Sequence, residues 1–462
     1  MDNTSVSFLD CGIPADFIRR TRSLMGDAEC EALCRALTEA APVSVRINVA
    51  KGCAAPDGGR RVPWSDSGYY LPARPSFTFD PLFHAGCYYV QEASSMFLSE
   101  VLRQCVSAPV LMLDLCAAPG GKSTLARSVL PQGSLLVANE VVRSRANVLA
   151  ENMIKWGHDG VVVTNSDAVD FARLGSIFDV ILADVPCSGE GMFRKDVEAR
   201  KEWSEENVNL CWQRQRRIVA DIWPSLKPGG ILVYSTCTFA REEDEDNVAW
   251  IASELGAESL PLYICGEWNV TGNLAGGDFP VYRFLPHKTE GEGLFMAVLR
   301  KSPAEALRSG SKKCGKQSKG FPKELKRWVC GADELDFTVD GGLASAFSKP
   351  WSAVLQLMKS TVRVVHAGIT LGELKGRDWQ PHHSLAMSIR LAQDAFPQHE
   401  LSLDEAVAYL RREAVSLDAS SPKGYVLLTY REHPLGFVKN IGSRANNLYP
   451  NEWRIRSARR EL

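Results

Sequence analysis

Two cysteines follow strand-like apolar runs, and a thiol in such a place can act as a nucleophile. Cys187 comes shortly after the run Phe178–Asp184, and Cys237 comes directly after Gly230–Thr236. If these runs are neighbouring parallel strands, about 4.8 Å apart, Asp184 and both thiols share one pocket at the carboxyl edge of a sheet. Isolated cysteines are mostly small buried hydrophobes. We assign that role to Cys11, Cys30, Cys34, Cys53, Cys87, Cys105, Cys211, Cys265, Cys314 and Cys330.

A glycine-rich turn follows an earlier apolar run. Val110–Leu115 has the length and composition of a strand, Pro119-Gly120-Gly121 breaks it, and a helix is expected next. This order brings backbone N–H groups and a helix N-terminus to a nucleotide-like ligand. A Walker A loop is excluded because Cys116 stands where its first glycine is required, and no frame supplies G-x-G-x-x-G. The remaining interpretation is a small adenosine-type ligand.

Acidic residues follow the next strand-like runs. Glu140 ends the run that begins at Ser134, about 20 residues past the glycine turn, where an acid commonly binds ribose hydroxyls. Asp167 follows a third run, Val161–Asn165, and is placed to meet an adenine amino group. Any single acid could be a solvated cap, but with Asp184 the set favours a neutral or cationic nucleoside such as S-adenosylmethionine.

Composition bounds the class of protein. The 462 residues are 45% apolar and 23% charged, which predicts a soluble globular chain of about three domains. No apolar run is long enough for a membrane span, and Met1–Ser5 is unlike a signal peptide. We therefore expect a cytoplasmic protein without a membrane partner, and nothing demands more than a monomer. The 13 cysteines lack C-x-x-C spacing, so neither a zinc site nor a disulfide framework is indicated.

Charge is distributed unevenly along the chain. Residues 301–462 carry a formal charge of +8 and residues 1–300 carry −10, which together give the −2 of the whole chain. Basic side chains concentrate in 301–327 and 444–460. Such patches are typical of a surface that contacts phosphates. Surface lysines also serve solubility, so charge alone leaves nucleic-acid binding open.

Three long motifs in the same order closely resemble the Sun-type family of RNA cytosine-C5 methyltransferases. They are Cys116-Ala-Ala-Pro-Gly-Gly-Lys122, Asp184-Val-Pro-Cys-Ser-Gly-Glu-Gly-Met-Phe-Arg-Lys-Asp196 and Tyr234-Ser-Thr-Cys-Thr-Phe-Ala-Arg-Glu-Glu-Asp-Glu-Asp-Asn247. The resemblance extends upstream through 42–48 and 88–96. Downstream, 424–453 is similar to the PUA-like tail of the RsmF branch, which methylates 16S ribosomal RNA.

The resemblance implies a role for each motif residue. Cys237 is the nucleophile and Cys187 assists product release. Cytosine C5 accepts a methyl group only after a thiolate adds to C6, and an ordinary thiol is mostly protonated at neutral pH. Lys122 is the candidate cation that favours the thiolate, and Asp184 is expected to hydrogen-bond cytosine N3 and the exocyclic amine. The implied S-adenosylmethionine contacts are Cys116, Ala117, Ala118, Pro119, Gly120, Gly121, Lys122, Glu140, Asp167 and Asp184.

The predicted architecture is α/β. A Rossmann-like S-adenosylmethionine-dependent methyltransferase core carries an N-terminal α+β accessory domain and a C-terminal PUA-like β domain. The expected divisions are an RNA-binding or closing domain at 1–105, the catalytic domain at 106–301, a basic flexible linker at 302–320, an intermediate domain at 321–395 and a PUA-like RNA-binding domain at 396–462.

The expected activity is formation of 5-methylcytosine in 16S ribosomal RNA, with RNA or the small ribosomal subunit as partner. The target base must be single-stranded or extruded from its stack. Three alternatives stay open. A transfer-RNA cytosine-C5 methyltransferase would share the catalytic residues. A DNA cytosine methyltransferase would use the cysteine after Pro186, and a catalytically silent ribosome assembly factor would bind RNA without reaction.

Overall fold

The computed structural model describes residues 12–303, 321–418 and 420–457. Most of the predicted linker at 302–320, the predicted buried Cys11 and Cys314, and the basic residues Arg459 and Arg460 lie outside this range. Among the described helices, none combines the length and apolar character needed to cross a bilayer.

The N-terminal part pairs helices with a small antiparallel sheet. Its helices are α1 (Ala15–Met25), α2 (Asp27–Thr38), α3 (Pro81–His84) and α4 (Leu98–Cys105). Its strands are β1 (Ser44–Ile47), β2 (Arg60–Arg61), β3 (Gly68–Tyr70) and β4 (Tyr88–Val90), in the order β2-β3-β1-β4. The hydrophobic periodicity of residues 8–37 predicts a helix, but the described part of this segment is divided at Gly26, whose φ of 84° ends α1. A left-handed φ suits glycine because it has no Cβ.

The central part alternates strands and helices. Its strands are β5 (Leu111–Asp114), β6 (Leu135–Asn139), β7 (Val161–Thr164), β8 (Phe178–Asp184), β9 (Leu226–Thr236), β10 (Ala257–Ser259), β11 (Tyr282–Phe284) and β12 (Leu294–Lys301). Its helices are α5 (Gly121–Val129), α6 (Arg143–Trp156), α7 (Ala168–Phe171), α8 (Val197–Glu202), α9 (Glu205–Ile222) and α10 (Glu245–Glu254).

The C-terminal part is rich in β structure. Its strands are β13 (Leu335–Asp340), β14 (Leu343–Ser348), β15 (Val364–Ala367), β16 (Ile369–Lys375), β17 (Asp378–Pro381), β18 (Gln398–Glu400), β19 (Gly424–Tyr430), β20 (His433–Asn440) and β21 (Ala445–Asn447). Its helices are α11 (Lys323–Lys326), α12 (Ser352–Thr361), α13 (His383–Met387) and α14 (Leu403–Leu410). Two further sheets form here, β13-β14-β16-β17 and β18-β19-β20-β21.

The central sheet has the strand order β10-β12-β9-β8-β5-β6-β7-β15, with β11 paired to β12. Strands β5 to β9 run parallel, and β10, β12 and β15 are antiparallel to their neighbours. Strands β5 and β6 are buried along their whole length, which is typical of a parallel sheet covered on both faces. The strand order reverses at β5, because β6 and β7 lie on one side of it and β8 and β9 on the other. Open α/β sheets bind ligands at such a topological switch point. The predicted Rossmann-like core is confirmed.

One strand of the central sheet comes from far along the chain. β15 pairs antiparallel with β7, with Val364 opposite Thr164 and Ala367 opposite Val162. Leu355 and Met358 of α12 belong to the apolar cluster on one face of the same sheet. The segment assigned by sequence to an intermediate domain therefore also completes the catalytic sheet, while the proposed division at 321–395 stays a prediction.

Arg46 of β1 joins the N-terminal sheet to the helix after the glycine turn. Its side chain is 1% exposed, and its guanidinium donates to Gln91 Oε1 at 2.7 Å and Thr124 Oγ1 at 2.5 Å. Its Cζ lies 4.3 Å from the centre of the Trp156 ring. A buried cation with these partners fixes the orientation of the two parts.

We expect Arg46→Met to lower the free energy of unfolding by about 2–4 kcal/mol, since it leaves buried acceptors without their donor. Chemical denaturation measures the change. Arg61→Met removes an exposed guanidinium from β2, the edge strand of the same sheet. This substitution is expected to alter the free energy of unfolding by less than about 0.5 kcal/mol. Equal effects of the two substitutions would contradict a joining role for Arg46.

Candidate active site

The carboxyl ends of β5, β8 and β9 border a cavity of about 310 Å³. Residues of the glycine turn line this cavity, together with Asp184 and Cys237. The N-terminal domain contributes Tyr89, Gln91 and Glu92 to the lining of the cavity. The closing role expected of this domain stays a prediction. The predicted site residues at the border are Cys116, Ala117, Ala118, Pro119, Gly121, Lys122, Asp184 and Cys237.

The glycine turn leads directly into α5. Gly120 has a φ of 116°, and a Cβ there would lie 3.3 Å from Leu149 Cδ1. The positive φ favours glycine because a residue with a Cβ would be strained there, and the close approach to Leu149 leaves little room for a side chain. Within the described chain no side chain caps the N-terminus of α5, so its first-turn N–H groups are available to an anionic ligand group beside the cavity.

Asp114, at the end of β5, is a site residue that sequence reasoning did not select. It borders the cavity and is fully buried, and its Oδ2 accepts a hydrogen bond from Ser123 Oγ at 2.6 Å. Burial raises its pKa to about 7. The other oxygen, Oδ1, has no partner among the residues that the structure describes. A cationic group such as the amino group of S-adenosylmethionine would satisfy this oxygen, so the residues present fit that cofactor.

The two acids predicted to bind the nucleoside lie farther from the cavity. Glu140 is buried at the end of β6, and its Oε1 accepts from the Val142 N–H at 2.9 Å. Asp167 is exposed and caps α7 by accepting from the Val169 N–H at 3.2 Å. Neither these acids nor Gly120 and Cys187 border the cavity enclosed by the described residues. Cofactor contacts of Glu140, Asp167 and Gly120 stay predictions.

Lys122 and Asp184 form an ion pair at the cavity wall, with Nζ 2.8 Å from Oδ2. Burial disfavours the Lys122 ammonium, but the Asp184 carboxylate outweighs it, so the pKa of Lys122 is raised. The lysine is therefore charged. Its principal partner is the carboxylate, and it acts on the Cys237 thiolate only as a neighbouring charge.

Cys187 and Cys237 meet as the neighbouring strand ends predict. Their sulfur atoms are 3.1 Å apart, and the Cys237 N–H lies 3.4 Å from Cys187 Sγ. The hydrogen bond with Cys187 lowers the pKa of Cys237, against the opposing effects of burial and of the Asp184 carboxylate. Lys122 also lowers this pKa, but by less than Asp184 raises it. The same bond and burial raise the pKa of Cys187 well above that of an ordinary thiol. We therefore assign the thiolate to Cys237, which borders the cavity, and the thiol to Cys187.

Buried polar side chains hold the two cysteine loops together. Glu243 accepts from the Ser188 N–H at 3.0 Å and from Gln215 Nε2 at 2.6 Å. Glu190 accepts from the Phe239 N–H at 2.8 Å, and the Gly191 N–H donates to the Cys237 carbonyl at 2.8 Å. Each loop thus fixes the backbone of the other.

A buried cluster of charged side chains lies next to the Cys237 loop. Arg283 is paired with Asp244 at 3.0 Å and donates through Nε to Glu245 Oε1 at 2.7 Å. Asp244 also accepts from Thr236 Oγ1 at 2.6 Å. All three charged residues are buried. The acidic run that follows Cys237 was the available sequence signal for these supporting residues.

The fold and this cavity define a Rossmann-like methyltransferase. Family models match three segments: 16S rRNA methyltransferase RsmB/F over 107–300, the N-terminal domain of 16S rRNA methyltransferase RsmF over 13–93, and the methyltransferase RsmF PUA domain over 396–455.

Known relatives agree with those models. Ribosomal RNA small subunit methyltransferase F of Klebsiella pneumoniae (strain 342) is 32% identical over 88% of this chain and 89% of its own. The protein of the same name from Escherichia coli O157:H7 (strain EC4115 / EHEC) is 33% identical over 85% and 84%. A solved structure, a methyltransferase homolog protein from Pyrococcus horikoshii, is 28% identical with a TM-score of 0.55, over 65% of this chain and all of that one.

The chain belongs to the RsmB/F methyltransferase family, in the branch with RsmF-type N-terminal and PUA domains. The resemblance stated from the sequence is confirmed. Methyltransferases of this kind use S-adenosylmethionine, and the unsatisfied Asp114 oxygen and free α5 N-terminus suit that cofactor.

Proposed function

We propose that this protein methylates C5 of a cytosine in 16S ribosomal RNA and that Cys237 forms a temporary bond to C6 of the base. The observation that carries the proposal is the thiol pair, in which Cys187 favours ionisation of Cys237 at the cavity wall. The names of the relatives, ribosomal RNA small subunit methyltransferase F, support the choice of RNA.

S-adenosylmethionine supplies the methyl group when it is bound. The Cys237 thiolate adds to C6 and raises the electron density at C5, which splits one difficult step into two easier ones. The Asp184 carboxylate accepts a hydrogen bond from the exocyclic amine of the base, and a proton taken from solvent and held between Asp184 and N3 balances the negative charge that thiolate addition brings to the ring. Lys122 holds the carboxylate in position. After a base has removed the C5 proton, the bond between Cys237 Sγ and C6 breaks. The Cys187 thiol then stabilises the departing thiolate by the hydrogen bond already present.

Bisulfite sequencing of ribosomal and transfer RNA from cells with and without the gene tests the substrate. We expect at least one cytosine in 16S ribosomal RNA to be protected only when the gene is present. The purified protein should restore that protection on RNA from the deletion strain. Restoration in transfer RNA alone would support the transfer-RNA alternative, and an unchanged pattern in both classes would contradict cytosine-C5 methylation.

The C-terminal β unit at 396–457 carries exposed basic side chains that suit RNA phosphates. Arg444 and Arg454 are both exposed. We expect the double variant Arg444→Ala/Arg454→Ala to weaken RNA binding and to reduce the slope of log affinity against log salt by about 0.7 for each lost phosphate contact. Filter binding over a salt series measures both quantities.

Arg173→Ala is the control because it removes an exposed guanidinium from the catalytic core. Its salt slope should match that of the unaltered protein. A double variant with an unchanged slope would remove Arg444 and Arg454 from the RNA-contacting surface.

A further inference from the structure

Two cysteines and a histidine from distant parts of the chain meet outside the active site. The ligand atoms of Cys53, Cys87 and His433 all lie within 4.8 Å of one another. The sequence predicted both cysteines as buried hydrophobes and indicated no zinc site, since C-x-x-C spacing is absent. Such spacing detects ligands that are close in sequence, whereas these three are brought together by packing of the N-terminal sheet against the C-terminal β unit.

Each of the two cysteines is set by rigid local structure. Cys53 follows the turn Val49–Lys51 and Gly52, which adopts a left-handed φ of 70°. Cys87 is held on both sides of its backbone, because its N–H donates to the Leu82 carbonyl at 3.0 Å and its carbonyl accepts from the Asn48 N–H at 2.8 Å. Local structure therefore sets the backbone positions of both cysteines.

His433 is presented by a strained hairpin. It begins β20 and pairs with Tyr430 across the two-residue turn Arg431-Glu432. Both turn residues have left-handed φ values, 48° and 67°. Two-residue hairpin turns of this kind usually contain asparagine and glycine, because most residues that carry a Cβ are disfavoured at positive φ. Strain of this sort is concentrated at ligand sites and is maintained by surrounding structure.

Apolar side chains and one ammonium group, that of Lys51, surround the two cysteines. Cys87 belongs to an apolar cluster shared by the two parts of the chain, including Ala85 and Leu401, and Cys53 packs against it. The Lys51 ammonium donates to the Ala85 carbonyl at 2.5 Å and the Lys155 carbonyl at 2.7 Å. It also interacts electrostatically with both thiols. A divalent cation with two thiolates and a neutral imidazole has no net charge, so the centre is compatible with this ammonium.

We propose that Cys53, Cys87 and His433 bind one zinc ion, which ties the N-terminal sheet to the C-terminal β unit. Zinc prefers tetrahedral sites built from cysteine sulfur and histidine nitrogen. Binding releases one proton from each thiol and leaves the imidazole neutral. A solvent molecule takes the fourth position, because Cys53 and His433 are only partly buried.

Zinc retention by the full-length protein tests this proposal. The protein is loaded with zinc, passed over a desalting column in the presence of a weak chelator, and analysed by inductively coupled plasma mass spectrometry. We expect one zinc per chain. Cys53→Ser and His433→Gln should lose it, whereas Cys265→Ser, another partly buried cysteine, and the active-site variant Cys237→Ser should retain it.

Two further measurements separate metal binding from folding defects. His433→Cys replaces the nitrogen ligand by a third thiolate and should also retain one zinc. Cobalt in place of zinc should give thiolate-to-cobalt charge-transfer absorption that weakens in Cys53→Ser. Failure of the unaltered protein to retain zinc would overturn the proposal, as would equal retention by Cys53→Ser or loss in Cys237→Ser. Isolation of the chain with Cys53 and Cys87 joined in a disulfide that excludes zinc would also overturn it.

Discussion

We expect Cys237→Ser to reduce methyl transfer by at least about 10⁴-fold while S-adenosylmethionine binds with unchanged affinity. A serine hydroxyl stays protonated at neutral pH, so it does not add to C6 of the base. The groups that suit the cofactor, Asp114 and the N-terminus of α5, are untouched by the substitution. Single-turnover transfer of a radiolabelled methyl group measures the reaction, and calorimetry measures cofactor binding.

Cys211→Ser provides a matched control, since Cys211 is a buried cysteine of α9 outside the cavity. Its rate should stay within a few-fold of the unaltered enzyme. The pH profile adds a second check. Because the pKa of Cys237 is lowered, activity should persist below the pH at which an ordinary thiolate is protonated and should fall as pH drops through this lowered pKa. Near-normal turnover of Cys237→Ser would refute its role as nucleophile.

Cys187→Ala is expected to trap a covalent complex between protein and RNA. Cys237 can still add to C6, but the departing thiolate loses the hydrogen bond across the 3.1 Å contact. Turnover should fall by about 10²-fold or more. A band that survives denaturing electrophoresis and contains both protein and RNA measures the accumulated adduct. The pH profile of adduct formation should also move upward, since the pKa of Cys237 loses its main lowering influence.

The double variant Cys187→Ala/Cys237→Ser is the control and should form no adduct. Cys187→Ser, which keeps a hydrogen-bond donor, should release product faster than Cys187→Ala. If Cys187→Ala instead forms no adduct and Cys237→Ser still does, Cys187 is the attacking thiol, as in the DNA cytosine methyltransferase alternative.

The central strands could be predicted because a parallel strand buried on both faces is a continuous apolar run. The run Phe178–Asp184 is β8 without change, and Val161–Asn165 extends one residue beyond β7. The start of β9 at Leu226 was missed, since Pro228 and Gly229 are poor strand formers. The division of the first helical segment was missed because hydrophobic periodicity continues across Gly26.

Side-chain partners were harder to predict than strand positions. Asp184 and Cys237 were placed together because β8 and β9 are neighbours, and Asp184 does lie opposite Ser235. The sequence did not predict which of the two thiols has the lowered pKa, since that depends on the hydrogen bonds and charges around each sulfur atom and not on residue order. Asp114 was visible as an acid near a strand end, but its unsatisfied oxygen is a property of three-dimensional packing. The cluster at Cys53 was invisible for the same reason.

The pairing of β15 with β7 has a consequence during synthesis of the chain. The two strands are separated by about 200 residues, and ribosomes add about 5–20 residues each second. The valine-rich edge at 161–163 therefore waits roughly 10–40 s for its partner to be translated. An open edge of this kind invites pairing between nascent chains. Pairing with β15 therefore closes an edge that would otherwise stay open to such contacts.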